Sequence, residues 1–142
     1  MLIKPITYTT YDGTKLTEDF YFNMTEAELM EMHLSTTGGM EQTVRRIISA
    51  HDQPTLFKLF KDLILNAYGV KSLDGKRFEK SEQLKKDFEH TPAYSVLFME
   101  LINDADKAAE FITDIMPESL REKAKEESEK FKKSIPLPEA NN

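Results

Sequence analysis

Tyr11-Asp-Gly-Thr-Lys-Leu-Thr-Glu-Asp-Phe-Tyr-Phe-Asn-Met-Thr-Glu-Ala-Glu-Leu-Met30 sets a hairpin turn, a strand and a capped helix back to back, and the reading of the whole chain follows from it. Asp12-Gly13 is the turn, because glycine accepts a positive φ and aspartate bonds its own backbone. A two-residue loop sets Ile6 opposite Asp19. A three-residue Asp12-Gly13-Thr14 loop sets Ile6 opposite Phe20 and Tyr8 opposite Glu18. The second is preferred, since one face of the hairpin then collects Ile6, Tyr8, Leu16, Phe20 and Phe22. A lone hairpin is marginal in water, so that face needs a helical partner. The helix that follows is announced by Thr25-Glu-Ala-Glu28, a capping box in which hydroxyl and carboxylate each take the other residue's amide proton. Asn23 is a rival cap. Glu26 and Glu28 sit in the first turn, where the helix dipole favours acids, and Leu29, Met32 and His33 recur at helical spacing.

Beyond Thr36-Thr37 the pair Gly38-Gly39 reads as a helix stop and an elbow. A phosphate-cradling loop is disfavoured, because no Lys-Ser or Lys-Thr pair follows and no strand precedes. Met40, Val44, Ile47 and Ile48 share one face of a predicted helix over roughly 39 to 51, ending before Pro54. Leu56, Phe57, Leu59, Phe60, Leu63, Ile64, Leu65 and Tyr68 form the densest apolar segment, predicted to be the core helix onto which Ile6, Leu16, Phe20 and Phe22 pack through Phe57, Phe60, Leu63 and Ile64. Gly69 stops it. Asp74-Gly75 marks a second turn between short extended pieces; Lys71, Lys76, Arg77 and Lys80 around it read as a solvated turn rather than a basic contact loop, being diluted by Asp74, Glu79 and Glu82. Ser81-Glu82 opens a short helix through Phe88, and Thr91 or His90 with Pro92 opens a longer one that breaks or bends around Asn103-Asp-Ala-Asp106. Residues 118 to 133 alternate Glu and Lys as a solvated helix does, and Ile135-Pro-Leu-Pro138 reads as an extended end.

Composition excludes several function classes. The 142 residues are one domain's length, with 31% charged, and a formal charge of -6 argues against a nucleic-acid binder, which needs clustered cations. Arg45-Arg46 is too short a run to supply them. No apolar run is long enough for a signal peptide or a membrane span. The absence of cysteine removes disulfides, thiolate metal sites and cysteine nucleophiles together. His33, His51 and His90 lie in three separate segments. Asp104, Asp106 and Asp114 lack the glycine and terminal glutamate of a calcium loop and read as a capped helix junction. No catalytic residue, cofactor or metal ligand is predicted, and the chain is not read as an enzyme.

The first segment, the Leu34-Ser-Thr-Thr-Gly-Gly39 elbow, Tyr68-Gly-Val-Lys-Ser-Leu-Asp-Gly-Lys-Arg-Phe78 and Thr91-Pro-Ala-Tyr-Ser-Val-Leu-Phe-Met-Glu-Leu101 resemble the tail assembly chaperones of tailed bacteriophages, of the siphovirus type that infects Gram-positive bacteria. The resemblance covers residues 6 to about 117. It implies a non-enzymatic protein of the infected host's cytoplasm that binds the tape-measure protein and helps recruit subunits of the major tail (tube) protein, with self-association also open. A structural component of the virion, in the tail or connector, is the alternative. The fold expected is mainly α, a small domain of about five to six helices over 1–117 with an N-terminal β-hairpin at 3–22, followed by a charged helical or disordered tail over 118–142. No motif carries the function of such proteins, so the partner-binding surface is sought in adaptable apolar side chains: Met24, Met30, Met32, Met40, Met99 and Met116 are available, and Leu29, Met32, Val44 and Ile48 are expected to line a groove across the glycine elbow.

Overall fold

The computed structural model describes residues 1–35 and 53–118. Strands β1 (Leu2–Thr9) and β2 (Lys15–Phe22) form the N-terminal hairpin, with Ile6 opposite Glu18 and Tyr8 opposite Leu16. The loop is therefore Tyr11-Asp12-Gly13, two registers away from the one expected. Thr10 N donates to Thr14 O at 2.8 Å and closes it, and the Thr10 hydroxyl takes the Thr14 amide at 3.0 Å and bonds the Asp12 carboxylate. Gly13, at φ +93°, occupies the last loop position, where a three-residue hairpin demands the left-handed conformation, rather than the middle position expected. A slip of two preserves the face of every side chain, so Ile6, Tyr8, Leu16, Phe20 and Phe22 still share one side, joined by Leu2, Lys4 and Glu18.

Helix α1 (Glu26–Ser35) carries the expected capping box: Thr25 N donates to Glu28 Oε1 at 2.8 Å and Glu28 N to Thr25 Oγ1 at 3.1 Å. The predicted helix over 39 to 51 and the Gly38-Gly39 elbow lie outside the described residues. Helix α2 (Gln53–Ala67) runs without a loop into β3 (Tyr68–Lys71), which turns through Asp74-Gly75 into β4 (Phe78–Glu79). Three capped helices complete the described chain. Ser81 caps α3 (Glu82–Glu89), Thr91 with Pro92 opens α4 (Pro92–Ile102), and Asp104 caps α5 (Ala105–Asp114) by accepting from the amides of Asp106 and Lys107. The capped junction read at Asp104 thus stands.

The fold is more mixed than the mainly α architecture expected. β3 adds to the hairpin edge, Tyr21 against Gly69 and Phe22 against Tyr68, giving an antiparallel sheet in the order β1-β2-β3-β4 alongside five helices among the described residues. Asn23 N prolongs the β2–β3 ladder to Ala67 O at 2.8 Å. Gly69 sits in this strand rather than at a helix end, and is required there by closeness: a Cβ would lie 2.5 Å from the Phe78 ring and 2.9 Å from Glu79 O.

The hairpin's chief helical partner also differs from the one expected. α4 lies against β1, with Ala93, Leu97 and Leu101 buried at four-residue intervals and Glu100 reaching Lys4 at 3.4 Å. Because α2 passes straight into β3, its end is tied to the sheet's rim, and the inner face of the hairpin is left to α4. α2 contributes Phe60 and Ile64 to the same core, while Leu63 is half-buried and Phe57 meets the Phe98 ring of α4 at 6.5 Å. Phe88 of α3 is the junction between layers. Its ring stacks on Tyr68 at 4.3 Å and contacts Phe20, Phe22 and Tyr94 within 6 Å, and Phe22 in turn meets Phe111 of α5 edge-on at 5.3 Å. Truncating Phe88 to Ala removes four ring contacts at a site 2% exposed, and denaturant unfolding is expected to show a loss of about 3–5 kcal/mol.

Candidate functional site

Lys80 follows β4 directly and precedes the cap of α3, so the end of the β3–β4 hairpin and the start of a helix together fix its backbone. Its side chain is 16% exposed. The ammonium has three protons and meets three oxygens from three segments: Asn23 O at the end of β2 (2.7 Å), Asn66 O in the last turn of α2 (2.8 Å) and Glu28 Oε2 in the first turn of α1 (2.6 Å). The Phe78 ring lies 5.7 Å away. Glu28 is shared between two tasks, one oxygen completing the capping box and the other holding the lysine.

Burial lowers the pKa of Lys80, and the bond and charge of Glu28 act against that shift without cancelling it. For Glu28 burial works upward, but the bond from Lys80 and the amide of Thr25 outweigh it and hold the carboxyl below its ordinary range. The lowered value keeps the Glu28 carboxyl ionised at neutral pH.

Around this pair opens a cavity of roughly 480 Å³ whose lining includes Met24, Glu28, Glu31, Met32 and Lys85. Its polar groups are largely committed. Lys85 Nζ bonds Asn66 Oδ1 at 2.8 Å and lies 3.5 Å from Glu82, and the Ser81 hydroxyl accepts the Leu84 amide at 3.0 Å. The three protons of Lys80 are spent on oxygens of the fold and Ser81 takes a helix amide, so these two side chains lock segments together. No group of three or more His, Asp or Glu side chains placed to hold a metal occurs among the described residues.

Of the predicted partner-binding residues, Leu29 and Met32 lie on α1 half-buried against the core, and Met32 also borders the cavity. Val44 and Ile48 lie outside the described residues. Met24 belongs to the core at 2% exposure, its amide donating to Ile115 O at 2.8 Å, whereas Met30 and Met99 are exposed. The four cations read around the second turn separate: Lys71, Lys76 and Arg77 are exposed near it, and Lys80 turns inward. Lys80 as a tether went unread in the sequence. Its acceptors lie 14, 52 and 57 residues away, and two of them are backbone oxygens that no side-chain pattern announces.

A family model described as phage tail assembly chaperone matches residues 1–141. The chain belongs to this family of phage tail assembly chaperones. No curated protein and no solved structure matches it. The match reaches past both ends of the 6 to 117 span on which the resemblance was read, and so takes in most of the charged C-terminal segment. Among the described residues of this tail assembly chaperone, no helix is long and apolar enough to cross a membrane.

Replacing Lys80 by Met strands two carbonyl oxygens and a half-buried carboxylate, and is expected to cost about 2–4 kcal/mol in chemical denaturation. Because the folded state holds the Glu28 pKa below its ordinary value of 4.5, the stability it contributes is complete above that pH and fades as the pH falls through the lowered value. Glu28→Gln is therefore expected to be less stable than the parent at neutral pH, with the gap closing below about pH 4.5 in paired urea titrations.

Proposed function

We propose that this tail assembly chaperone acts by binding the tape-measure protein in the cytoplasm of the infected host, helping to recruit tail tube subunits to it, and that it does so by non-covalent contact alone, without an enzymatic step. The family match over residues 1–141 carries the reading.

The client surface is assigned to the face of Leu29, Met32, Val44 and Ile48. α1 supports this choice in its described part. The capping box and Lys80 secure its first turn, while Leu29 and Met32 are half-buried and Met30 is 63% exposed. Thioether side chains adapt their shape at small cost, which suits successive, non-identical stretches of a long helical partner. Residues 118–142 are read as a charged tail separate from the domain over 1–117.

Co-expression with the tape-measure protein, followed by affinity capture, tests the proposal. Met32→Glu is expected to reduce capture about tenfold or more by placing a charge in the apolar contact, while circular dichroism still reports a folded chain. Capture equal to the parent's overturns the face. Recovery of the chain in stoichiometric amount from purified virions overturns the chaperone reading in favour of a structural tail or connector protein.

A further inference from the structure

The described chain leaves the fold beside the cavity that surrounds Lys80. Ile115, fully buried at the C-cap of α5, accepts the Met24 amide on its carbonyl oxygen at 2.8 Å, and Met24 is part of the cavity lining. Met116 packs against the same core, and 118 is the last described residue before the C-terminus. The chain beyond it therefore starts within a few residues of a contact with the cavity wall.

The cavity is acid-rimmed around a small apolar patch. Glu28, Glu31 and Glu82 border it, with Met32 half-buried in its wall and Met24 almost closed off. Its two cations are spent: Lys80 on Glu28 and two backbone oxygens, Lys85 on Asn66 and, at 3.5 Å, on Glu82. Three carboxylates thus face two committed ammonium groups, and Glu31 is exposed. Residues 119–142 hold the complement. Phe131 is the sole aromatic residue of that stretch, and Lys130, Lys132 and Lys133 flank it with no acid between Lys130 and Pro138. On a chain of formal charge -6, this is the one place where three cations fall within four residues. The tether is long enough. Residues 119–129 reach about 40 Å when extended and about 17 Å as a helix, and either allows a return to a wall that Ile115 already adjoins.

We propose that Phe131 and its three lysines fold back into this cavity of their own chain, the ring against Met32 and the ammonium groups towards Glu31 and Glu82. Charge complementarity and the exit point beside Met24 together select the occupant, and thioethers receive an aromatic ring favourably. A short tether supplies a millimolar effective concentration, so the contact is populated without high intrinsic affinity. Its charges lie at an open rim, so salt weakens it. Met32 also belongs to the face assigned to the client, so the docked arm and the client exclude each other there. That consequence rests on the client reading; the docking does not, and is measured on the purified chain alone.

The chain contains no tryptophan, so Phe131→Trp in the full chain supplies a single reporter at the proposed anchor. Its emission is expected to lie to the blue of a free indole and to resist acrylamide quenching, equally at every protein concentration. Adding Lys132→Glu with Lys133→Glu, or Glu31→Lys with Glu82→Lys, is expected to shift the emission to the red and open the indole to quenching, with an unchanged circular dichroism spectrum. High salt is expected to do the same to the reporter without further changes. Combining both reversals in one chain is expected to restore protection, since the charges then match again. A reporter as quenchable as free indole, one that neither reversal moves, or a combined reversal that stays exposed overturns the proposal. Protection that is lost on dilution overturns it as well, by assigning the contact to a second molecule.

Discussion

One ammonium group holds the end of β2, the start of α1 and the end of α2 in register. Lys80 has little contact with water, and each of its three oxygen acceptors lies in a different segment. Taking a lysine out of water is costly, and the lowered pKa records that cost. What the arrangement gains is position. Asn66 and Asn23 sit where a helix ends and a strand ends, so their carbonyls have no regular partner beyond, and an apolar side chain at residue 80 would leave both orphaned. The sheet depends on the same point: β2 meets β3 only at Tyr21–Phe22 against Tyr68–Gly69, and Asn23 and Asn66, tied to Lys80, flank that short ladder.

The aromatic core works outward from that ladder. Phe22 and Tyr68 are directly paired across β2 and β3, and Phe88 lies against both rings. Since β2–β3 pairing positions Tyr68 for the stack with Phe88, the polar tether and the aromatic layer are one construction seen from two sides. Surface ion pairs such as Lys58–Asp62 add little, because their charges remain in water. Lys61–Glu89, at 2.6 Å, links α2 to α3 and shares that limitation in part, with both side chains at least 30% exposed.

Local signals in the sequence were legible wherever the physics was local. The Thr25–Glu28 box, the caps at Ser81, Thr91 and Asp104, and the Asp74-Gly75 turn all depend on groups two to five residues apart. The face of the first hairpin was legible too, although its register was not, because a slip of two leaves the alternation of side chains untouched and moves only the position of Gly13 in the loop. Partners distant in sequence were not legible. That β3 adds to the hairpin, that α4 rather than α2 lies under β1, and that Lys80 turns inward while Lys71, Lys76 and Arg77 do not, all depend on where remote segments arrive. Lys80 differs from those cations in sequence only by its place between a strand and a capped helix. Of the predicted client face, Leu29 and Met32 are half-buried against the core, and Val44 and Ile48 fall beyond the described residues.

Under the proposed client reading, the division of α1 into a tethered first turn and a more exposed second turn bears on how a chaperone releases what it binds. A binder that must let its client go needs a surface whose rearrangement does not propagate into the fold. Along α1, Glu28 is fixed by the Thr25 amide and the Lys80 ammonium, and in the second turn Met30 is largely in water while Met32 is partly buried against the core. On the proposed client reading, the exposed Met30 can change rotamer against a partner while the first turn stays where Lys80 puts it. An apolar clamp, being non-directional, would let α1 slide, whereas hydrogen bonds from one ammonium to Asn23, Glu28 and Asn66 fix where the helix starts.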